Sequence, residues 1–204
     1  MASDRERPLM EATLRIIGRK GLDGVTHRAV AAEAGMSTGA VTHHFSTRDS
    51  LVDAALRFAL SREGGRLDAL ALNLQSKAFD TDAWIESLVG WYAQELGSRA
   101  EIHVACYEAF LAASRNERYQ PVVAAWFDTW RQSAELALRA AGSSDPRRHA
   151  ELFVSALIGI LLRQLAVPRR SFRREAKAAL SELVNSLLRK ARRSADVVAL
   201  THCR

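Results

Sequence analysis

Apolar residues recur at helical spacing along almost the whole chain, and the interruptions mark where each helix starts and stops. Met10, Leu14 and Ile17 follow Pro8, a favoured first-turn residue, and predict a helix from Pro8 to Lys20 that Gly21 ends in a left-handed conformation. Leu22 is placed to fold back on the last turn. Thr26 then caps a helix running to Ala34, with Val25 and Val30 as its hydrophobic staple. Gly35 ends it. Ser37 is a second cap, Met36 and Val41 repeat the staple, and a short third helix closes near His44. A fourth begins at Ser46 or Thr47 with Leu51, Ala54, Ala55 and Phe58 on its apolar face, and Gly64-Gly65 is expected to break it.

Further along, the segments 66–76, 80–97, 99–115, 118–141, 146–167 and 171–193 read as helices, separated by signals such as Gly142-Ser143-Ser144-Asp145-Pro146 and Pro168. No internal repeat is visible. Periodicity is lost from Ser194 to Arg204, where a frayed tail is expected. The pattern predicts an all-α chain: an N-terminal three-helix helix-turn-helix domain over 1–50, a helical domain over 51–193, and a tail over 194–204. The boundary between the domains falls along the fourth helix.

Composition agrees with the helical reading. Four prolines and eleven glycines in 204 residues, with 48% hydrophobic, favour a globular helical protein in which strands are rare or absent. The start MASDRERP lacks a secretory pattern, so a cytoplasmic address is expected. The longest apolar stretch, Leu152 to Leu162 interrupted only by Ser155, falls short of the roughly 20 residues that span a bilayer. It reads as a helix buried on several faces, with no membrane partner. Cys106 and Cys203 lie far apart and imply no disulfide framework.

Charge changes the picture less than its sum suggests. The net charge is +6, but residues 1–50 carry seven Lys and Arg against six Asp and Glu, whereas residues 168–193 carry nine against two. Net charge therefore does not locate a nucleic-acid site. Geometry does: two short helices joined by a tight glycine turn behind a supporting helix form a helix-turn-helix, whose second helix enters the major groove. Ala29, Ala31 and Ala32 let the helices pack closely, Gly39 and Ala40 keep the third helix slim, and the ends capped by Thr26 and Ser37 offer N–H groups to phosphates.

The segment GLDGVTHRAVAAEAGMSTGAVTHHFSTRDSL resembles the N-terminal signature of the TetR family of transcriptional regulators. The resemblance implies backbone contacts near Thr26 and Arg28, groove-facing positions at Ser37, Thr38 and Ala40, and further DNA contacts at Thr42, His43 and His44. Arg48 stands where the family usually has a lysine reaching a phosphate. Thr42 stands where it commonly has an aromatic, often Tyr, and the shorter hydroxyl shifts part of that contact to His43.

Other residues carry competing readings. His43-His44 point about 100° apart on a helix and make no metal site. His103 and Cys106 share a helix face, read as a core or pocket pair. Trp84, Leu88 and Trp91, then His103, Tyr107 and Phe110, then Trp126, Phe127 and Trp130, are either core or the lining of a small-molecule site. Phe153, Ala156, Leu157, Gly159, Ile160, Leu180, Leu183 and Leu187 are the expected dimerisation residues, since the helix over Glu151–Val167 is apolar nearly all round. The family's last two long helices, by resemblance, form a four-helix bundle with a partner's. Arg169 to Arg174 read as a solvated basic segment. No phosphate-binding glycine loop, zinc motif or nucleophile elbow appears, so neither an enzyme nor a cofactor is expected. The expected function is a repressor that binds a palindromic double-stranded operator as a homodimer and is released by an apolar or aromatic effector. A ligand-independent DNA-binding protein or an activator is the alternative.

Overall fold

A computed structural model describes residues 6–72 and 79–201, with side chains over 6–67 and 79–189. Every regular element among these residues is helical: α1 (Arg7–Lys20), α2 (His27–Ala34), α3 (Thr38–His44), α4 (Arg48–Leu72), α5 (Thr81–Ser98), α6 (Ala100–Ala113), α7 (Gln120–Ala140), α8 (Pro146–Ala166) and α9 (Phe172–Thr201). Two 3-10 turns, Leu22–Gly24 and Glu117–Tyr119, precede α2 and α7. The chain forms two compact units. One runs through Gly65 and includes Glu95–Trp126; the other comprises Arg66–Gln94 and the chain from Phe127 onward.

The first unit is built around α1. Leu9, Met10, Ala12, Thr13, Leu14, Ile16 and Ile17 are all buried, more than the single face predicted, because α1 packs against both α2 and α6. The buried Thr13 hydroxyl is satisfied within the helix by Leu9 O at 2.8 Å. At Gly18 the two backbones meet: a Cβ there would lie 2.0 Å from the carbonyl oxygen of Glu101 on α6. Only glycine allows this crossing. Further along, Arg118 in the second 3-10 turn pairs with Asp49 and holds Asp53 at 2.8 Å, tying that turn to the start of α4. Glu63 is buried with its Oε2 accepting from Trp126 Nε1 at 2.6 Å, and Arg62 pairs with Glu95 at 2.6 Å.

In the second unit, Ile85, Leu88, Val89 and Tyr92 of α5 are buried, as are Ala134, Ala137 and Leu138 of α7, Phe153, Leu157 and Leu161 of α8, and Leu180 and Val184 of α9. Trp84 stacks on Phe153 with ring centroids 4.8 Å apart. Asp145 caps α8 at Arg148 N (3.2 Å), with Pro146 in the first turn. Lys177 (2.7 Å) and Arg173 (2.5 Å) both reach Glu86, holding its carboxyl below the usual carboxylate range.

Three expectations need correction. The helix does not break at Gly64-Gly65 but continues as α4 to Leu72; each glycine costs a helix interior roughly 1 kcal/mol, which burial of Leu51, Val52, Ala55, Leu56 and Leu67 along α4 offsets. The predicted helix over 66–76 is thus the end of α4, and its part beyond Leu72 lies outside the described residues. Gly21 has a positive φ of 70° but an extended ψ of 178°, so it leads into the 3-10 turn and not into a left-handed cap. Finally, α9 continues helically to Thr201, past the point where apolar periodicity ends. Cys203 lies outside the described residues.

Among the described residues one helix, Pro146–Ala166, is long and apolar enough by length and composition to cross a membrane. It carries Arg147, Arg148, Glu151 and Arg163, and a helix with one face in a core and another against a partner passes the same test.

Two glycine substitutions separate crowding from conformational entropy. Gly18→Ala is expected to lose about 3 kcal/mol or more, because the clash is with backbone. Gly65→Ala, with nothing within 4 Å of its Cβ, should gain about 0.5–1 kcal/mol. Urea unfolding of each variant checks both signs.

Candidate nucleic-acid interface and aromatic cleft

Local chemistry fixes α2 and α3 as one rigid pair. Thr26 Oγ1 accepts from Ala29 N at 3.0 Å and Ser37 Oγ accepts from Ala40 N at 3.1 Å, so both predicted caps form. Gly35 sits in the left-handed region (φ 67°, ψ 30°), and Met36 N reaches back to Ala31 O at 2.9 Å to close α2. Val25, Val30 and Val41 are fully buried beneath the pair. A further tie has no sequence signal: His27 Nε2 donates to Phe45 O at 2.8 Å, joining the start of α2 to the end of α3. Glu33 anchors α2 to α1 through Arg15 (2.7 Å) and Arg19 (2.5 Å), and these bonds hold its carboxyl below its ordinary range.

What remains outward is a polar strip. Thr26, Arg28, Ser37, Thr38, Thr42 and His43 are exposed and Ala40 is half-buried, while Val41 and Phe45 face the interior. Thr38 and Thr42, four residues apart, share one face. The Thr42 hydroxyl is within hydrogen-bond distance of Thr38 O (3.1 Å) and Gly39 O (3.0 Å), so its proton points back into the helix and its oxygen is left as an acceptor. His44 is half-buried with Nδ1 3.8 Å from Glu6 Oε1.

Arg48 departs from the role implied by resemblance. Its guanidinium turns inward, donating from Nη2 to Leu22 O at 2.6 Å and from Nε to Val25 O at 3.0 Å. Leu22 O, which also accepts the turn's own bond from Val25 N at 3.1 Å, and Val25 O at the end of the turn are both within reach, and a planar fork can bridge them where an ammonium would act as a point charge. In this structure Arg48 is a clamp on the turn before α2.

The predicted ligand residues do not line one space. Trp84, Leu88 and Trp130 line a cleft in the second unit together with Leu67, Tyr92, Ser133, Ala134, Phe153, Val154 and Leu157; its volume is about 10 Å³, room for a single water. Trp91 is half-buried against Tyr92, and Phe127 is 41% exposed. His103, Tyr107, Phe110 and Trp126 belong to the first unit, where Phe110 meets Trp126 edge to face at 6.0 Å beside Glu63. Burial pushes the Cys106 thiol and the Tyr107 phenol up.

The dimerisation set also needs correcting. Phe153, Leu157 and Leu180 are buried within their own chain at 1%, 5% and 0% exposure, Phe153 and Leu157 as part of the cleft wall. The open face of α8 is rotated by about one residue: Leu152 and Leu162 are exposed, Ser155 and Gly159 lie between them, and Ala156 and Ile160 flank the stripe half-buried. Leu183 and Leu187 of α9 are likewise half-buried.

Comparison with known proteins agrees with this architecture. Residues 9–55 match the profile of bacterial regulatory proteins of the tetR family, and residues 80–190 match the tetracyclin repressor-like C-terminal domain. The regulator BetI from Burkholderia thailandensis is 30% identical over 190 residues, 92% of this chain and 81% of BetI. PksA from Bacillus subtilis is 37% identical over 68 residues, a match confined to 33% of either chain. Among solved structures, a TetR-family member from Streptomyces coelicolor aligns with TM-score 0.70 at 30% identity, covering 89% of this chain and 98% of its own. The multidrug binding protein EbrR complexed with ethidium aligns at 0.63 and 32% identity, covering 88% and 98%. The chain is a helix-turn-helix transcriptional regulator. It belongs to the TetR family.

One buried group makes this fold sensitive to acid. Burial, reinforced by the nearby Arg62 charge, lowers the His103 pKa from 6.5 to about 4. The depressed value means that folding favours the neutral ring. Its contribution is complete above pH 6.5 and lost as pH falls towards 4, a span worth about 3 kcal/mol. Denaturant unfolding of wild type and His103→Leu at pH 7 and pH 4.5 should show the larger acid loss in wild type.

Proposed function

We propose that the chain is a cytoplasmic repressor that binds a palindromic operator as a homodimer and releases it when a small aromatic effector enters the α5–α7–α8 cleft. The observation that carries the DNA part is the outward strip Thr38, Thr42 and His43 on a helix locked by two side-chain caps and the His27 tie. Such a strip presents hydroxyls and an imidazole to base edges and phosphates while the apolar side is already buried. Thr26, Arg28, Ser37 and Ala40 complete the contact surface, with His44 at its edge. A two-fold dimer would set its recognition helices about 34–36 Å apart, one turn of the double helix.

The open face of α8 supports the dimer. Leu152 and Leu162 are 47% and 48% exposed, and nothing lies within 4 Å of a Cβ built on Gly159 between them. Small residues between two leucines allow a second helix to approach closely, and exposed apolar area of this kind favours association.

The effector class follows from the cleft's aromatic wall and from EbrR, whose structure holds ethidium. A ligand with flat rings would enter between Trp84, Leu88 and Trp130 and select an open form, shifting the population away from the DNA-competent one. One observation favours a second reading, a regulator that needs no ligand: the cleft has room for about one water. Ethidium titration decides between them, since binding that quenches tryptophan emission and is lost in Trp84→Ala supports the sensor, and its absence supports the alternative.

Two further outcomes are expected. Thr38→Ala with Thr42→Ala should weaken operator binding by about tenfold or more in fluorescence anisotropy while light scattering still reports a dimer; unchanged affinity rules out this recognition face. Leu152→Glu with Leu162→Glu should yield folded monomers in sedimentation velocity, with DNA affinity falling accordingly.

A further inference from the structure

A larger hollow than the aromatic cleft lies in the first unit, where the end of α1 and its 3-10 turn face the end of α6. Its volume is about 330 Å³, at the lower end of the roughly 300–1,000 Å³ typical of small-molecule sites. The wall is polar: Lys20, Gly21, Leu22 and Asp23 on one side, Arg48 at the start of α4, and Glu108, Ala112, Arg115, Asn116 and Tyr119 on the other. Gly21 keeps this wall low, since even a Cβ there would stand only 3.9 Å from Glu108 Oε2.

The charges around the hollow divide into committed and uncommitted groups. Arg48 is held by Leu22 O and Val25 O and pairs with Asp23 at 3.6 Å and Asp49 at 3.5 Å, so Asp23, though exposed, is committed as well. Among the described residues, the side chains of Lys20, Arg115 and Glu108 form no hydrogen bond or ion pair. Two cations and one carboxylate thus border one cavity without pairing with each other. A ligand that satisfies all three must carry an anionic end and a donor end.

We propose that this hollow is a binding site for a small hydroxy- or amino-carboxylate, its carboxylate facing Lys20 and Arg115 and its hydroxyl or ammonium facing Glu108. Charge-assisted hydrogen bonds of this kind are stronger than neutral ones. Arg115, Asn116 and Tyr119 belong to the same short connection as Arg118, whose guanidinium grips Asp49 and Asp53 on α4. Asn116 Oδ1 accepts from Arg118 N at 3.1 Å, so the connection is internally braced. A ligand that draws on Arg115 therefore acts on the fastening of α4, the helix that follows the recognition helix directly. The site is separate from the aromatic cleft. Its influence on DNA affinity rests on the operator-binding reading above, whereas ligand binding itself does not.

Calorimetric titration of the full chain with L-malate, L-glutamate and succinate tests the site. Malate or glutamate should bind about tenfold more tightly than succinate, which lacks the donor. Lys20→Ala with Arg115→Ala should weaken that binding by about tenfold or more at unchanged thermal unfolding, and Arg115→Gln alone should weaken it measurably. Glu108→Gln should erase the preference over succinate. No binding by any of the three, equal binding of malate, glutamate and succinate, or full binding in the double variant would overturn the site. For the coupling, malate or glutamate at saturation should change operator affinity by about fivefold or more in wild type. Arg118→Ala should bind the ligand as wild type does and lose that change; a change that persists in Arg118→Ala overturns the latch while leaving the site standing. Should DNA binding itself be absent, the calorimetric arm still decides the site.

Discussion

The tightest approach at any glycine among the described residues is the crossing of α1 over α6 at Gly18, where one backbone rests on another with no room for a side chain. Such a contact fixes both position and angle, because neither partner can yield by rotating a rotamer. α1 is consequently buried on the side of α2 as well as α6, and the recognition pair is mounted on a helix that is itself held fast. The Glu33 bonds to Arg15 and Arg19 and the Arg48 bonds to the 3-10 turn add orientation to what packing supplies. Each is polar and partly exposed, so each contributes more to geometry than to stability.

The recognition pair was legible in the sequence because its determinants are local. Thr26, Gly35 and Ser37 act on backbone groups within three or four residues, and a cap needs no knowledge of the rest of the fold. Gly18 was not legible for the opposite reason. A glycine inside a helical pattern looks like a small loss of propensity until the helix that crosses it is known. His27 is similar, since its partner is the backbone of Phe45, which no side-chain pattern announces.

The helical face of α8 shows where periodicity loses resolution. A helix apolar nearly all round has no single hydrophobic direction, and its inward and outward faces differ by a rotation of one residue. Phe153 faces inward, where Trp84 stacks on it, and Leu157 with it; Leu152 and Leu162 face outward because nothing among the described residues covers them. The aromatic groups followed the same rule. Trp84 and Trp130 line one cleft, whereas His103, Tyr107, Phe110 and Trp126 belong to the other unit, where Trp126 donates to Glu63, a separation fixed by tertiary packing and absent from sequence spacing.

Under the proposed sensor reading, the size of the aromatic cleft has a consequence for dose. A space for one water beside the stacked rings of Trp84 and Phe153 means that any aromatic guest meets a wall already satisfied by its own stacking. Opening must come first, or accompany entry, and the apparent dissociation constant is the intrinsic one divided by the open fraction. A form open about one time in a hundred would respond at about a hundredfold higher concentration than its contacts alone would set. The threshold of such a switch would then be tuned by the packing around Trp84, its stack on Phe153 included.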